Sequence, residues 1–226
     1  MKLVRLKATT ASLTVKFRAQ PRAVQAIWAV LALEFVVALI EARWPLAAIA
    51  ATTFALTLIP TTLSSRLNIS LPTPFLAGIT IFIFMTIFLG EAFDFYNKYW
   101  WWDVALHGGS ALGFGLLGFL FAFVLFEGDR FAAPAWALGL IGCTLGVTIG
   151  VVWEIFEFAM DQSFGTNMQK SGLVDTMWDL IVDVIGAGLG GLAGALWLKK
   201  SGPGMTRRLF EDFIERNRRF FKKFTR

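Results

Sequence analysis

The chain has 226 residues, of which 56% are hydrophobic and 16% charged, with a mean hydropathy of +0.63 and a formal net charge of +5. A soluble domain of this size carries about a quarter charged residues and no long apolar runs, so the composition excludes an ordinary globular domain and indicates an integral membrane protein. The single cysteine, Cys143, lies within an apolar run, which excludes a disulfide framework. The basic residues flank apolar runs, so a pI of 9.6 is explained by membrane topology and no nucleic-acid partner is expected.

Residues 1–22 carry Lys2, Arg5, Lys7, Lys16, Arg18 and Arg22. The apolar run that follows is about 20 residues long and lacks a small-residue cleavage site, so it reads as a span rather than a signal peptide. Six runs are long enough to cross a hydrocarbon core of about 30 Å: 23–42, 45–61, 75–93, 104–126, 134–158 and 178–198. The expected fold is all-α, a polytopic membrane helix bundle of about six transmembrane helices. It divides into a basic N-terminal segment (1–22), a transmembrane domain (23–198) and a basic C-terminal helix (199–226).

Lys and Arg set orientation. With a cytoplasmic N-terminus, the inside segments hold eighteen basic residues and the outside ones three, Arg43, Lys98 and Lys170. Both termini are therefore expected in the cytoplasm. The tail places Leu209, Phe210, Phe213, Ile214, Phe220, Phe221 and Phe224 at helical spacing with Arg and Lys between them, the pattern of an amphipathic helix lying on anionic lipid headgroups. Tyr96, Tyr99, Trp100, Trp101 and Trp102 read as an interfacial aromatic belt.

The acids concentrate at the outer ends of spans 3 to 6. "EAFDF" (91–95) ends span 3 and "EIFEF" (154–158) ends span 5; "WDVALH" (102–107) opens span 4 and "WDLIVD" (178–183) opens span 6. Asp103 and Asp179 are 76 residues apart, as are His107 and Asp183, Gly115 and Gly191, and Gly118 and Gly194. This predicts a parallel two-hairpin pseudo-repeat, spans 3–4 and 5–6, about an axis along the membrane normal. Residues three or four apart share a helix face, so Glu91 with Asp94, Glu154 with Glu157, Asp103 with His107, and Asp179 with Asp183 are expected to line one cavity. Glycines in spans 4 and 6 suit close helix approach. Asp161 and Asp175 fall in or at the edge of the outer loop, Asp175 in a position suited to cap span 6. Glu34 lies mid-span, where two readings stay open: a proton site facing the bundle, or an acid paired with a hydroxyl.

Seven carboxylates and one imidazole in one cavity call for protons, basic side chains or cations. Oxygen ligands with one histidine suit a divalent metal, and paired Glu-x-x-acid helices are the geometry of carboxylate-bridged metal sites in helix bundles. The expected ligands are Glu91, Asp94, Asp103, His107, Glu154, Glu157, Asp179 and Asp183, with Asp161, Gln169 and Asp175 contacting a bound ligand.

With "WWDVALHGGSALGFGLLGF" (101–119), "VVWEIFEFAMD" (151–161) and "MQKSGLVDTMWDLIVDVIGAGLGG" (168–191) placed, the chain resembles the YjdF-type family of bacterial inner-membrane proteins over roughly 23–198. The resemblance implies the helix-bundle fold, the inner membrane, and the importance of His107, Glu154, Glu157, Asp161, Gln169, Asp175, Asp179 and Asp183. It implies no substrate.

Three functions compete. The first is a metal-binding protein, with Glu154 as general base if it is an enzyme acting on a lipid or lipid-linked substrate. The second is a cation or proton transporter or channel using the same acids. The third is a structural or partner-binding protein. Expected partners are the bilayer and anionic headgroups, with homo-oligomerisation left open.

Overall fold

The computed structural model describes residues 20–129, 132–201 and 204–222. Most of the basic N-terminal segment and Phe224 of the tail lie outside these residues. Among the described residues six helices are long and apolar enough to span a membrane: α1 (Arg22–Ile40), α2 (Trp44–Arg66), α3 (Thr73–Ala92), α4 (Trp102–Leu125), α5 (Ala135–Phe164) and α6 (Leu173–Leu198). A shorter helix, α7 (Gly204–Arg216), follows, and no strand occurs among the described residues. The protein is a polytopic membrane helix bundle, as composition and hydropathy predict.

The structure departs from the hydropathy reading at the end of α2, which runs to Arg66, within α3, at the end of α5 and at the start of α6. The α3 backbone is α-helical over Thr73–Ile83 and π-helical over Phe84–Ala92. Helix α5 runs past the last apolar stretch to Phe164, where Gly165 ends it in the left-handed region (φ +65°) and donates its N–H to the Asp161 carbonyl at 3.1 Å. Helix α6 starts at Leu173, directly after Gly172 with φ +67°. Asp161 and Asp175 are therefore both helical. The cap of α6 is Gly172, and Asp175 sits in the first turn instead. Hydropathy places a helix end where apolar character stops, but backbone hydrogen bonding continues until a glycine breaks it.

The chain forms two compact units, Met1–Phe95 and Tyr96–Arg226. In the first, α1 and α2 bury Ile27, Leu31 and Ala50 together with Phe88 of α3. Trp28 donates its indole N–H to the Thr57 hydroxyl across α1 and α2 at 2.9 Å. Glu34 meets Arg43 at 3.4 Å, and Arg43 also holds Glu41 at 2.8 Å. Glu34 is thus an ion-paired acid near the end of α1, a partner the sequence pattern did not reveal.

In the second unit α4, α5 and α6 pack on one another through glycines. A Cβ on Gly115 would stand 2.5 Å from the Ala187 carbonyl oxygen, one on Gly142 2.6 Å from that of Gly115, and one on Gly146 2.7 Å from the Ala187 Cβ. Backbones meet directly at these points, the close packing that small residues permit between membrane helices. At the end of the unit opposite the acids, Phe119, Phe123, Leu138 and Trp197 form an apolar cluster with Phe210, Ile214 and Phe221 of the tail. Phe210 stacks on Phe119 at 5.7 Å and meets Trp197 edge-on at 5.0 Å. The apolar face that the sequence directs toward lipid is buried here against protein, with Phe210 and Phe221 each 2% exposed. Arg207, Arg208, Arg216, Arg218 and Arg219 remain exposed.

Candidate functional site

His107 is the centre of a polar cluster built by three helices of the second unit. One turn of α4 separates Asp103 from His107, one turn of α6 separates Asp179 from Asp183, and α5 supplies Glu154. His107 is 7% exposed, Glu154 4%, Asp179 3% and Asp183 1%. Such burial is costly for charged groups unless they are paired.

His107 Nδ1 lies 3.3 Å from Asp183 Oδ2. An ionised carboxylate only accepts, so Nδ1 donates to Asp183; in the neutral ring Nε2 then presents its lone pair, and in the charged ring Nε2 carries a second N–H. That nitrogen faces acids as well: Asp103 Oδ1 and Glu154 Oε1 each lie 3.8 Å from it. Asp103, His107 and Asp179 offer three ligand atoms within 4.8 Å of one another. Atoms bound to one ion at about 2.2 Å come within about 4.4 Å of one another, so small side-chain rotations would complete this set. Glu154 Oε1 and Asp179 Oδ2 are buried with no hydrogen-bond partner. The carboxylates around the imidazole, two of them with an orphaned oxygen, form an excess of acceptors that a proton on Nε2, the Lys170 ammonium or a bound cation would offset.

Gly150 makes this arrangement possible. A Cβ there would stand 2.7 Å from Asp183 Cγ and still closer to its Oδ2. Only a glycine lets α5 pass over the Asp183 carboxylate. It belongs to the stripe Gly142, Gly146, Gly150, which leads in steps of four residues to Glu154.

The remaining predicted residues fall into separate roles. Asp161 accepts the Thr166 hydroxyl at 2.6 Å, the Met168 N–H at 2.7 Å and the Gln169 N–H at 2.9 Å, so it organises the α5–α6 loop. Gln169 donates its side-chain amide to the Thr176 hydroxyl at 2.7 Å. Glu157 is half-buried and accepts the Trp153 indole N–H at 2.9 Å. Asp175 is half-buried with Oδ2 unpartnered. Glu91 and Asp94 belong to the first unit and are exposed. They do not share a helix face: the π-helical backbone shifts the register, the helix ends at Ala92, and Asp94 takes φ +60°. Of the aromatic belt, Trp100 is 85% exposed but Trp102 only 5%, so Trp102 is core rather than belt.

Three contributors escaped the sequence reading. Gly150 had a signal in its four-residue stripe. Lys170, read as a loop residue, brings Nζ to 3.9 Å from Asp103 Oδ2. Trp153, the partner of Glu157, shows only as an i, i+4 spacing.

A polytopic bundle with one imidazole held among buried carboxylates at one end of three glycine-packed spans defines the class of protein. The chain matches the family described as Predicted membrane protein (DUF2238) over residues 23–200, and it belongs to that family, the YjdF-like one its motifs resemble. An uncharacterized protein of Thermotoga maritima is 33% identical over 120 residues, 53% of this chain and 60% of that protein. The chain thus spans less than two thirds of that relative's length. No solved structure matches.

Proposed function

We propose that the protein is a bacterial inner-membrane protein that binds a divalent metal ion at Asp103, His107 and Asp179, with Glu154 beside them. The observation that carries this reading is His107 Nε2 facing Asp103 and Glu154 at 3.8 Å, together with the orphaned buried oxygens of Glu154 and Asp179. Asp183 on Nδ1 supplies the carboxylate–histidine support typical of metal-bound imidazoles. The mixed nitrogen and oxygen donors fit Mn²⁺, Fe²⁺ or Zn²⁺ better than Ca²⁺ or Mg²⁺. The two carboxylates that meet the imidazole from α4 and α6, with His107 and Asp183 76 residues apart, accord with a pseudo-repeat in which these helices are counterparts.

The lysine and arginine bias supports cytoplasmic termini, which would put the cluster at the periplasmic face. The exposed arginines of the tail then face anionic headgroups. A bound ion would polarise a phosphoryl or carbonyl oxygen or activate water at that face. Glu154 would hold and move a proton from Oε1, and the surrounding bilayer makes a lipid or lipid-linked molecule the favoured substrate. The acids lie at one end, and α4 and α6 carry no charge between Asp183 or His107 and their far ends. This favours a site over a transmembrane ion path.

Elemental analysis of detergent-purified protein tests the reading, with Glu154→Ala and Asp179→Ala alongside. Wild type should retain about one divalent ion per chain and the folded variants should lose it. Protein that stays metal-free after soaking in Mn²⁺, Zn²⁺ and Fe²⁺ would refute it.

A further inference from the structure

Lys170 brings a basic side chain to the cluster from the α5–α6 loop. Its Nζ donates to the Tyr96 carbonyl at 3.1 Å, lies 4.5 Å over the Tyr96 ring and stands 3.9 Å from Asp103 Oδ2. Asp103 is also one of the three residues whose ligand atoms converge. The lysine is not placed by a loose loop. Asp161 accepts N–H groups from Met168 and Gln169 immediately before it, Gln169 reaches Thr176 on α6, and the Gly172 N–H donates to the Gln169 carbonyl just after it.

We infer that Lys170 is the specificity-determining residue of the metal site, an ammonium that makes it select divalent over monovalent cations. This rests on the metal-site reading. Charge decides which cation can displace the ammonium. The ammonium already supplies one positive charge beside Asp103. A sodium or potassium ion that displaced it would exchange one unit charge for another, and would lose the Tyr96 contacts in addition. A divalent ion brings a net gain against Asp103, Asp179 and Glu154, and alone has reason to enter. At a separation of 3.9 Å the pair is close enough for this competition to be felt at a partly buried site. The ammonium also accounts for why Asp103, more exposed than Asp179 or Asp183, is held toward the cluster rather than toward water.

The test is Mn²⁺ titration of the full chain in nanodiscs, followed by electron paramagnetic resonance, with and without added NaCl or KCl. Wild type, Lys170→Gln, Lys170→Met and Lys170→Arg are compared, with thermal melting as a check on folding. Gln keeps a donor for the Tyr96 carbonyl and removes only the charge, so it serves if Met fails to fold. The neutral variants should bind Mn²⁺ roughly tenfold tighter than wild type and become sensitive to monovalent salt beyond general screening, while Arg behaves as wild type. If wild type binds Mn²⁺ and the folded neutral variants bind it equally or more weakly, with unchanged salt response, Lys170 has no such role and the metal site stands. If only the neutral variants bind, Lys170 blocks the site in the wild type rather than tuning it, and the selectivity inference fails. If neither wild type nor any folded variant binds, the metal reading itself fails and takes the inference with it.

Discussion

Helices α1–α3 contain two glycines, Gly78 and Gly90, whereas α4–α6 contain fourteen. All six are apolar enough to span a membrane, so the contrast is not one of lipid solubility. The first unit is held by side chains, Phe88 against Ile27, Leu31 and Ala50, and Trp28 on Thr57. In the second, backbones touch: Gly115 lies on Ala187, Gly142 on Gly115 and Gly191 on Gly139. Lipid tails are as apolar as leucine, so burying apolar side chains gains little in a membrane, and close packing has to supply the association. The tightly packed unit is also the one that carries the buried imidazole–carboxylate cluster. A site whose acids lie within about 4 Å of one imidazole needs helices that cannot part, and glycine contacts provide that rigidity. In the first unit Glu34 and Glu41 share Arg43 in partly exposed pairs instead.

This contrast is most severely tested at the glycine contacts. Gly191→Val would drive a side chain into the Gly139 carbonyl, a backbone atom with no room to move. It should cost about 3 kcal/mol or more and abolish monodisperse protein in detergent. Gly113→Ala, whose Cβ meets nothing within 4 Å, should melt within about 1 kcal/mol of wild type. Equal behaviour of the two would mean that backbone contact does not hold the unit together.

A smaller effect, confined to the site, is expected for Asp183→Asn. It preserves shape but weakens the orientation of His107, and divalent affinity should fall about 10- to 100-fold with little loss of fold. Gly150→Ala should mimic it by pressing on the same carboxylate. Affinity measured by titration in both variants should move together. The pH profile sharpens the same point. Metal ligands must be deprotonated, so Mn²⁺ affinity should decline as pH is lowered, with protons competing for His107 Nε2 and the carboxylates. An affinity that rises on acidification would contradict this ligand set.

The least effect belongs to the first unit. Glu34→Gln removes a partly exposed ion pair worth about 0–1 kcal/mol. It should leave both the melting temperature and the metal content near wild type, and a loss of bound metal would break the division of labour between the units.

Much of this was legible from sequence because hydropathy and spacing report what a membrane and a helix demand. Six spans, the shared faces of Asp103 with His107 and of Asp179 with Asp183, and the depth of Glu154 all follow from apolar runs and a four-residue step. What was illegible depends on backbone geometry away from regular helix. The π-helical turn in α3 separates Glu91 from Asp94, although their spacing suits an α-helix. The extension of α5 and early start of α6 depend on two glycines with positive φ rather than on hydropathy. Lys170 reaches Asp103 only because Asp161 folds the intervening loop, a relation between residues nine apart that no periodicity encodes. The spacing of apolar residues in the tail does not say whether lipid or protein covers them, and here Phe210, Ile214 and Phe221 pack against protein.

The central claim is that His107 Nε2 awaits a cation among carboxylates. Pulsed electron paramagnetic resonance of Mn²⁺-loaded protein addresses it most directly, because coupling to ¹⁴N reports a coordinated imidazole and this chain has a single histidine. The account predicts tightly bound Mn²⁺ with the nitrogen coupling of one imidazole, lost in folded His107→Gln. Bound Mn²⁺ with no nitrogen coupling, or a spectrum unchanged by the substitution, would contradict it.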